Sequence, residues 1–416
     1  MILTAQRLRL LKRERERQSA RWWQFDSLVK GGASFPEPGF ALALYYQVSG
    51  DVAIGKRAVD WALSPASDDV RQLALVYDWC QPILTPQQSA TLAGKMRGPS
   101  EFGSNAPVPA RDVIFAAIAT AGGSSHDEEP RLRAVIEQAW RGLFARSLSD
   151  GTASVRLPDV YPILELMHAI RDNLKIDLRD DAPEWFRNLP VYLVAANYPA
   201  PYRAPENEIR IPMDASGDAG PDLKRAALAR AAGLAMVAFD NNLLENQYLQ
   251  GWLMQDRFSM FTPFGAPYEF LWANPYQPGL SYYHLPLIFH DSNSGALFVR
   301  SSWDDDADWF GLYAGAAELF HAGRVTQVNW AASGTSKPEP LPLGDASVVF
   351  GRIPFQFEMQ GGTVIVIGLK PGTKYLVETD DEEMREIPAD HGGTFVLQYP
   401  EGRAAGVRVH EPLPNP

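Results

Sequence analysis

Up to about Asp256 the apolar residues of this chain recur at helical spacing, segment after segment. The spacing predicts helices over Leu3–Val29, Phe40–Val48, Ile54–Leu63 and Val70–Trp79. Thr85-Pro86-Gln87-Gln88 is a helix start, with Thr at the N-cap, Pro at the first helical position and Gln closing a capping box. Further helices are predicted over Pro109–Ala121, Arg131–Phe144, Asp159–Asn173, Pro183–Ala196, Asp222–Phe239 and Leu243–Gln255. The turns between them are short and rich in Gly, Asp and Pro, so neighbours run antiparallel. Helical hairpins in this style wrap into an incomplete ring, an α/α toroid.

The pattern then changes. Phe258–Asn293 is dense in aromatic residues, Pro and Gly, and reads as a long connection with little regular structure. Gly295–Gly315 contains two strands, Ala296–Ser301 and Asp308–Tyr313. Gly334–Gly344, GTSKPEPLPLG, reads as a proline-rich linker. Strands follow at Val348–Phe350, Phe355–Met359, Thr363–Ile367, Lys374–Glu378, Thr394–Gln398 and Gly406–His410. Leu369–Tyr375, LKPGTKY, resembles the tyrosine corner of β-sandwiches. Helices first and strands second predict an α+β multidomain chain. Its parts are an incomplete toroid over residues 1–256, a connection with the first antiparallel sheet over 257–333, and a small β-sandwich-like unit over 345–416.

Composition narrows the partners. Hydrophobic residues are 46% and charged residues 21%, the balance of a globular protein. The net charge of −12 argues against nucleic acid and anionic membrane, and against a polyanion unless positive charge is gathered in a cleft. The one basic run, Arg7–Arg17, is interleaved with Glu14 and Glu16 and reads as a solvated helix face. The single cysteine, Cys80, excludes an intrachain disulfide, and no apolar run is long enough to span a membrane. No signal peptide is visible, although Met1 could follow a removed leader. The aromatic content of 11% suits stacking on sugar rings and equally suits packing between helices.

Three segments carry a family resemblance. They are LALVYDW at Leu73–Trp79 with LTPQQ at Leu84–Gln88, Asp150-Gly151 followed by YPILEL from Tyr161, and Ala296–Gly315 with its Arg-Ser-Ser-Trp-Asp pattern. Together the chain resembles the heparinase II/III-like polysaccharide lyases over residues 35–325. That resemblance implies an α/α toroid followed by an antiparallel β-sandwich. It implies β-elimination beside a uronic acid, hence an acidic polysaccharide as partner, and a bacterial, periplasmic or secreted setting. The chemistry requires a group that bonds the substrate carboxylate, a base for the C5 proton and an acid for the leaving oxygen.

By the resemblance, Tyr161, His321 and Arg111 are the catalytic candidates, and Asn105, Arg156 and Trp303 the substrate-binding ones. Arg111 would grip the carboxylate with its planar fork. Tyr161 also reads as a helix-start aromatic packed on the next turn, and Asp112 as a helix cap or a partner of Arg111. Two departures stand out. Ala110-Arg111-Asp112 stands where the family presents Asn or His, and Leu319–Asn329 keeps one histidine, with Gly323 where a second would be. A zinc site needs three or four converging ligands, so neither metal nor cofactor is expected. Asp304, Asp305, Asp306 and Asp308 read as a solvated turn. Two alternatives stay open. One is a toroidal glycoside hydrolase drawing on Asp78, Asp112, Asp150, Asp159 and Glu165. The other is a non-catalytic carbohydrate-binding protein using Trp22, Trp23, Trp252, Trp272, Trp303 and Trp330.

Overall fold

A computed structural model describes residues 1–97, 107–121, 128–149, 155, 157–201, 210–217, 220–255, 261–329, 334–380, 384–400 and 402–411. The chain is α+β and divides into two compact units. The first comprises residues 1–146, 155–190 and 222–282; the second comprises 147–154, 191–221 and 283–416. The sequence boundary at 256 falls inside the first unit, which runs on to 282, and that at 345 falls inside the second, where strands on both sides of the proline-rich segment share a core.

The first unit is helical, and the last residues of two of the helices that begin in it, 147–149 and 191–195, belong to the second. The helical unit begins with α1 (Ala5–Glu16), α2 (Ala20–Lys30), α3 (Pro38–Ser49), α4 (Val52–Leu63), α5 (Val70–Trp79), α6 (Pro86–Met96) and α7 (Pro107–Thr120). α8 (Glu128–Ala134) leads through a π-helical run, Val135–Phe144, into α9 (Ala145–Ser149). Then come α10 (Leu157–Leu174), α11 (Pro183–Ala195), α12 (Leu223–Phe239), α13 (Leu244–Gln255) and α14 (Gly265–Trp272). The capping box of α6 forms as its sequence requires: the Gln88 amide N–H donates to Thr85 Oγ1, and Thr85 N–H donates to Gln88 Oε1.

Two helices differ from the sequence reading. The expected Leu3–Val29 helix is two, α1 and α2. Gln18 turns left-handed at φ 51° and Ser19 caps the new start by accepting from Trp22 N–H. The aromatic connection contains α14, every residue of which is buried. Arg21 of α2 donates to the Ala273 carbonyl at the end of α14 and to the Glu269 carbonyl, which also accepts from Ala273 N–H.

In the second unit, β1 (Ser216–Gly217) and β2 (Gly220–Pro221) form a small ladder. A five-stranded antiparallel meander follows: β3 (Ile288–Asp291), β4 (Ala296–Arg300), β5 (Trp309–Tyr313), β6 (Ala316–His321) and β7 (Arg324–Gln327). The remaining strands are β8 (Leu341–Leu343), β9 (Ala346–Phe350), β10 (Phe355–Met359), β11 (Gly362–Ile367), β12 (Lys374–Thr379), β13 (Arg385–Pro388), β14 (Phe395–Tyr399) and β15 (Ala405–His410). They build two four-stranded sheets, ordered β14-β11-β9-β8 and β10-β15-β12-β13. β9 and β11 pair in parallel, the one departure from antiparallel order among these ladders, and β10 in the other sheet supplies the crossover between them. The tyrosine corner forms, with Lys370 N–H donating to the Tyr375 hydroxyl at 2.9 Å.

The β14-β11-β9-β8 sheet is buried on both faces. Val349, Val364 and Val366 pack with Phe357, Val377 and Val407 of the last sheet. Val348, Ile365 and Ile367, one residue out of phase, pack with Leu297, Phe310 and Leu312 of the meander. That is why VIVI in β11 reads as an unbroken apolar run rather than an alternating one. The other face of the meander is covered by aromatics. The Trp309 indole stacks near Phe298, donates to the Ala195 carbonyl, and lies over Gly311, where a Cβ would meet the ring at 2.3 Å.

Because opposite faces of β11 serve different cores, Val364→Ala and Ile365→Ala should each destabilise the protein. The expected loss for Ile365→Ala is about 2–5 kcal/mol in denaturant unfolding, and less for the smaller Val364. Gln356→Ala on the exposed face of β10 should stay within about 0.5 kcal/mol of the parent.

Candidate functional site

Helix α10 is buried all round from Tyr161 to Ile170. Tyr161, Glu165, His168 and Asp172 nevertheless recur along it at spacings of four, three and four, which puts them on one face. A polar stripe in such a place must find partners from other helices.

Glu165, with 0% side-chain exposure, is the centre. Arg71 of α5 donates from Nε to both carboxylate oxygens (2.9 and 2.8 Å) and from Nη2 to Oε1 (2.8 Å). Its remaining arm, Nη1, donates to Glu37 Oε2 at 2.8 Å. Arg111 of α7 reaches Glu165 Oε2 at 3.4 Å through Nη1. The Tyr161 hydroxyl donates to Glu165 Oε1 at 2.9 Å and accepts from the Trp272 indole at 3.0 Å. The Tyr268 hydroxyl donates to Glu37 Oε2 at 2.6 Å. The Arg71 guanidinium also lies 4.7 Å from the centre of the Phe40 ring and 5.4 Å from that of Tyr268.

Local sequence explains the placement. Asp69 caps α5 by accepting from Gln72 N–H, which sets Arg71 in the first turn. Gln72 Oε1 in turn accepts from the N–H groups of Gly39 and Phe40, the open donors at the start of α3. One side chain thus docks α3 on α5 and brings Glu37 beside Arg71.

The cluster grades from core to rim. Arg111 is 10% exposed, Glu37 20% and Asp112 23%. Asp112 Oδ1 accepts from both Nε (2.9 Å) and Nη2 (2.7 Å) of Arg111, so the pairing anticipated for Asp112 is present. Burial pushes the Asp112 carboxyl up, against the opposing pull of Arg111. Burial, and then the charge of Glu165, drives the Tyr161 hydroxyl far above the ordinary tyrosine range. In this arrangement Tyr161 is a neutral donor.

Further along the same face, His168 is fully buried. Arg171 Nη2 can only donate, so Nδ1 accepts from it at 3.0 Å and Nε2 carries the proton, given to the Ala235 carbonyl at 2.9 Å. Burial, with Arg7 and Arg171 nearby, holds the imidazole well below its usual range and neutral.

The sequence candidates therefore separate. Tyr161 and Arg111 meet on Glu165 in the helical unit. His321 belongs to β6 in the other unit; it is 68% exposed and its Nδ1 lies 2.7 Å from Asp308 Oδ1. Trp303 is buried there too, donating to the Leu285 carbonyl at 2.9 Å beneath the Arg300 guanidinium. Asn105, Arg156 and Asp150 lie outside the described residues, as does Trp330. Of the other tryptophans named for stacking, Trp22, Trp252 and Trp272 are buried and Trp23 is 60% exposed. In the acidic turn, Asp305 pairs with Arg210 at 2.5 Å. Among the described residues no three His, Cys, Asp or Glu side chains group as metal ligands, and no helix is long and apolar enough to cross a membrane.

Sequence reasoning missed Arg71, Glu37, Tyr268 and His168 as members of the cluster. The signal for Arg71 and His168 was a polar side chain set in an otherwise apolar helix, as in VRQLALV and LELMHAI; Glu37, ahead of its helix, and Tyr268, among aromatics, carried none.

Two measurements check this network. Glu165→Gln leaves the buried Arg71 with Glu37 as its remaining carboxylate partner and should cost about 3 kcal/mol in denaturant unfolding. His168 has a depressed folded-state value, so its contribution to stability is complete above the unfolded value and is lost as pH falls below it. Unfolding free energy should decline below about pH 6.5 by up to about 1.4 kcal/mol per unit, and His168→Gln should flatten that slope.

No protein-family model matches the chain, and no curated protein matches its sequence. Among solved structures it is similar to heparan sulfate lyase HepC from Pedobacter heparinus. The TM-score is 0.41 at 14% identity, covering 90% of this chain and 76% of that one, and a mutant of the same lyase gives the same values. A structure described as a glycoside hydrolase is similar at a TM-score of 0.28 and 9% identity, covering 91% of this chain and 71% of that one. The likeness is a distant one of fold and assigns no residue a role.

Proposed function

We propose that the chain is a carbohydrate-active, polysaccharide lyase-like protein that binds an acidic, uronic-acid-containing polysaccharide and cleaves it by β-elimination. In this reading the helical unit is an incomplete α/α toroid and the strands are a reduced β-sandwich part. The observation that supports it is the meeting of Tyr161 and two guanidinium groups on one carboxylate. Elimination beside a uronate begins with neutralising its carboxylate, and a planar guanidinium fork does this best. Arg111, at the rim, is the cation a substrate carboxylate would meet.

His321, in the other unit, is a candidate on its own geometry. Its Nδ1 is held by Asp308, which fixes the tautomer that leaves Nε2 open to take a proton. Tyr161 would return a proton to the leaving oxygen, and for that its hydroxyl must turn from Glu165 toward the substrate. A second reading, glycan binding without turnover, is favoured by one observation: Glu165 already fills the guanidinium pair with the protein's own carboxylate.

The test is ultraviolet absorbance of the unsaturated product on alginate, heparan sulfate, hyaluronan and pectin. The expected result is turnover on at least one, reduced about 100-fold or more in Tyr161→Phe; His321→Ala is measured beside it as a separate candidate. Binding by calorimetry without turnover supports the second reading. Release of reducing ends without unsaturation makes the chemistry hydrolytic, and neither binding nor cleavage on any of the four refutes both readings.

A further inference from the structure

The two arginines of the cluster are closed off differently. Arg71 is enclosed by Glu165, Glu37 and aromatic rings, and its Nε, Nη1 and Nη2 all donate to carboxylates. Arg111 gives Glu165 only one longer contact, through Nη1. Its other edge, Nε with Nη2, is the one that fits a carboxylate fork to fork. That edge is held by a single oxygen, Asp112 Oδ1, while Asp112 Oδ2 has no hydrogen-bond partner among the described residues. Asp112 is also the more exposed of the two. The site therefore carries an internal carboxylate, bound end-on, over the guanidinium edge that a two-oxygen grip would suit better.

We propose that Asp112 is the specificity-determining residue of this site: it occupies the Arg111 fork that a uronate carboxylate would take, and an acidic sugar binds by displacing it. This rests on the reading above in which Arg111 receives the substrate carboxylate. With Asp112 in place the Arg111 charge is balanced, and the rim, which also carries Glu37, opposes anions. With that charge removed, a second carboxylate can pair with Arg111 on both of its nitrogens.

Asp112→Asn keeps an acceptor oxygen in the same place and removes the charge; Asp112→Ser is a second, smaller variant. The experiment is calorimetric titration of the full chain with glucuronate, galacturonate and, as a neutral control, glucose, with thermal melting to confirm folding. Asp112→Asn or Asp112→Ser should bind the uronates about tenfold or more tightly than the parent, with no change for glucose. Asp112→Glu should behave as the parent, and Arg111→Lys added to Asp112→Asn should abolish the gain. Folded variants that bind uronates no better than the parent, or gain equally for glucose, overturn the proposal. If the parent cleaves a polysaccharide and the variants show no gain, the inference alone fails. If the variants gain affinity for uronates while no polysaccharide is bound or cleaved by any form, the lyase reading fails and the inference stands.

Discussion

A carboxylate buried beyond the reach of water, Glu165, ties together helices from across the helical unit. Left alone, Glu165 would cost several kcal/mol to ionise in the interior. Its oxygens are met by Arg71, Arg111 and Tyr161, which come from α5, α7 and its own helix. Those partners bring others, for Arg71 fixes Glu37 at the start of α3, and Tyr161 and Glu37 receive Trp272 and Tyr268 from α14. Helices distant in sequence are thus set in one register around one negative charge. A well-packed apolar replacement could equal such a network in stability. What an apolar core would not supply is a reason for each helix to stop sliding along its neighbour.

How much of this was legible in the sequence depends on range. The capping box at Thr85 and the period of Asp159–Asn173 are local, and both elements formed. The break at Gln18 escaped notice because one left-handed residue and a serine cap interrupt a helix without disturbing its apolar spacing. α14 hid among aromatics because its stability comes from complete burial and from Arg21, 248 residues away from Glu269 in the chain. The candidate site divides the same way. Tyr161 and Arg111 were visible as chemistry. The partners that define their state were not, since Glu37 and Tyr268 lie 231 positions apart and nothing in either neighbourhood announces the other.

The geometry also changes what those two residues mean. A tyrosine and an arginine named as catalytic bring to mind groups waiting at a surface. Here the tyrosine is an interior hydrogen-bond donor and the arginine is half claimed by its sequence neighbour. His321 is the opposite case, exposed and oriented by a single aspartate. The candidate residues thus stand at opposite degrees of enclosure, Tyr161 inside the helical unit and His321 at the surface of the other.

The doubly covered sheet has a consequence for how the polypeptide reaches this state. β11 is a run of β-branched residues with no charge, the composition that self-associates when its edges and faces are open. Its covers come from strands near residues 297–312 and 405–409, and its parallel neighbour is joined to it only through a strand of another sheet. β9 and β10 lie close by in the chain, but the remaining cover comes from contacts of large sequence separation, which form slowly. Lys370 and Pro371, just beyond the strand, are the sort of residues that discourage stacking in the interval. A strand buried on both faces in the finished protein is therefore open to misassociation until its distant covers arrive.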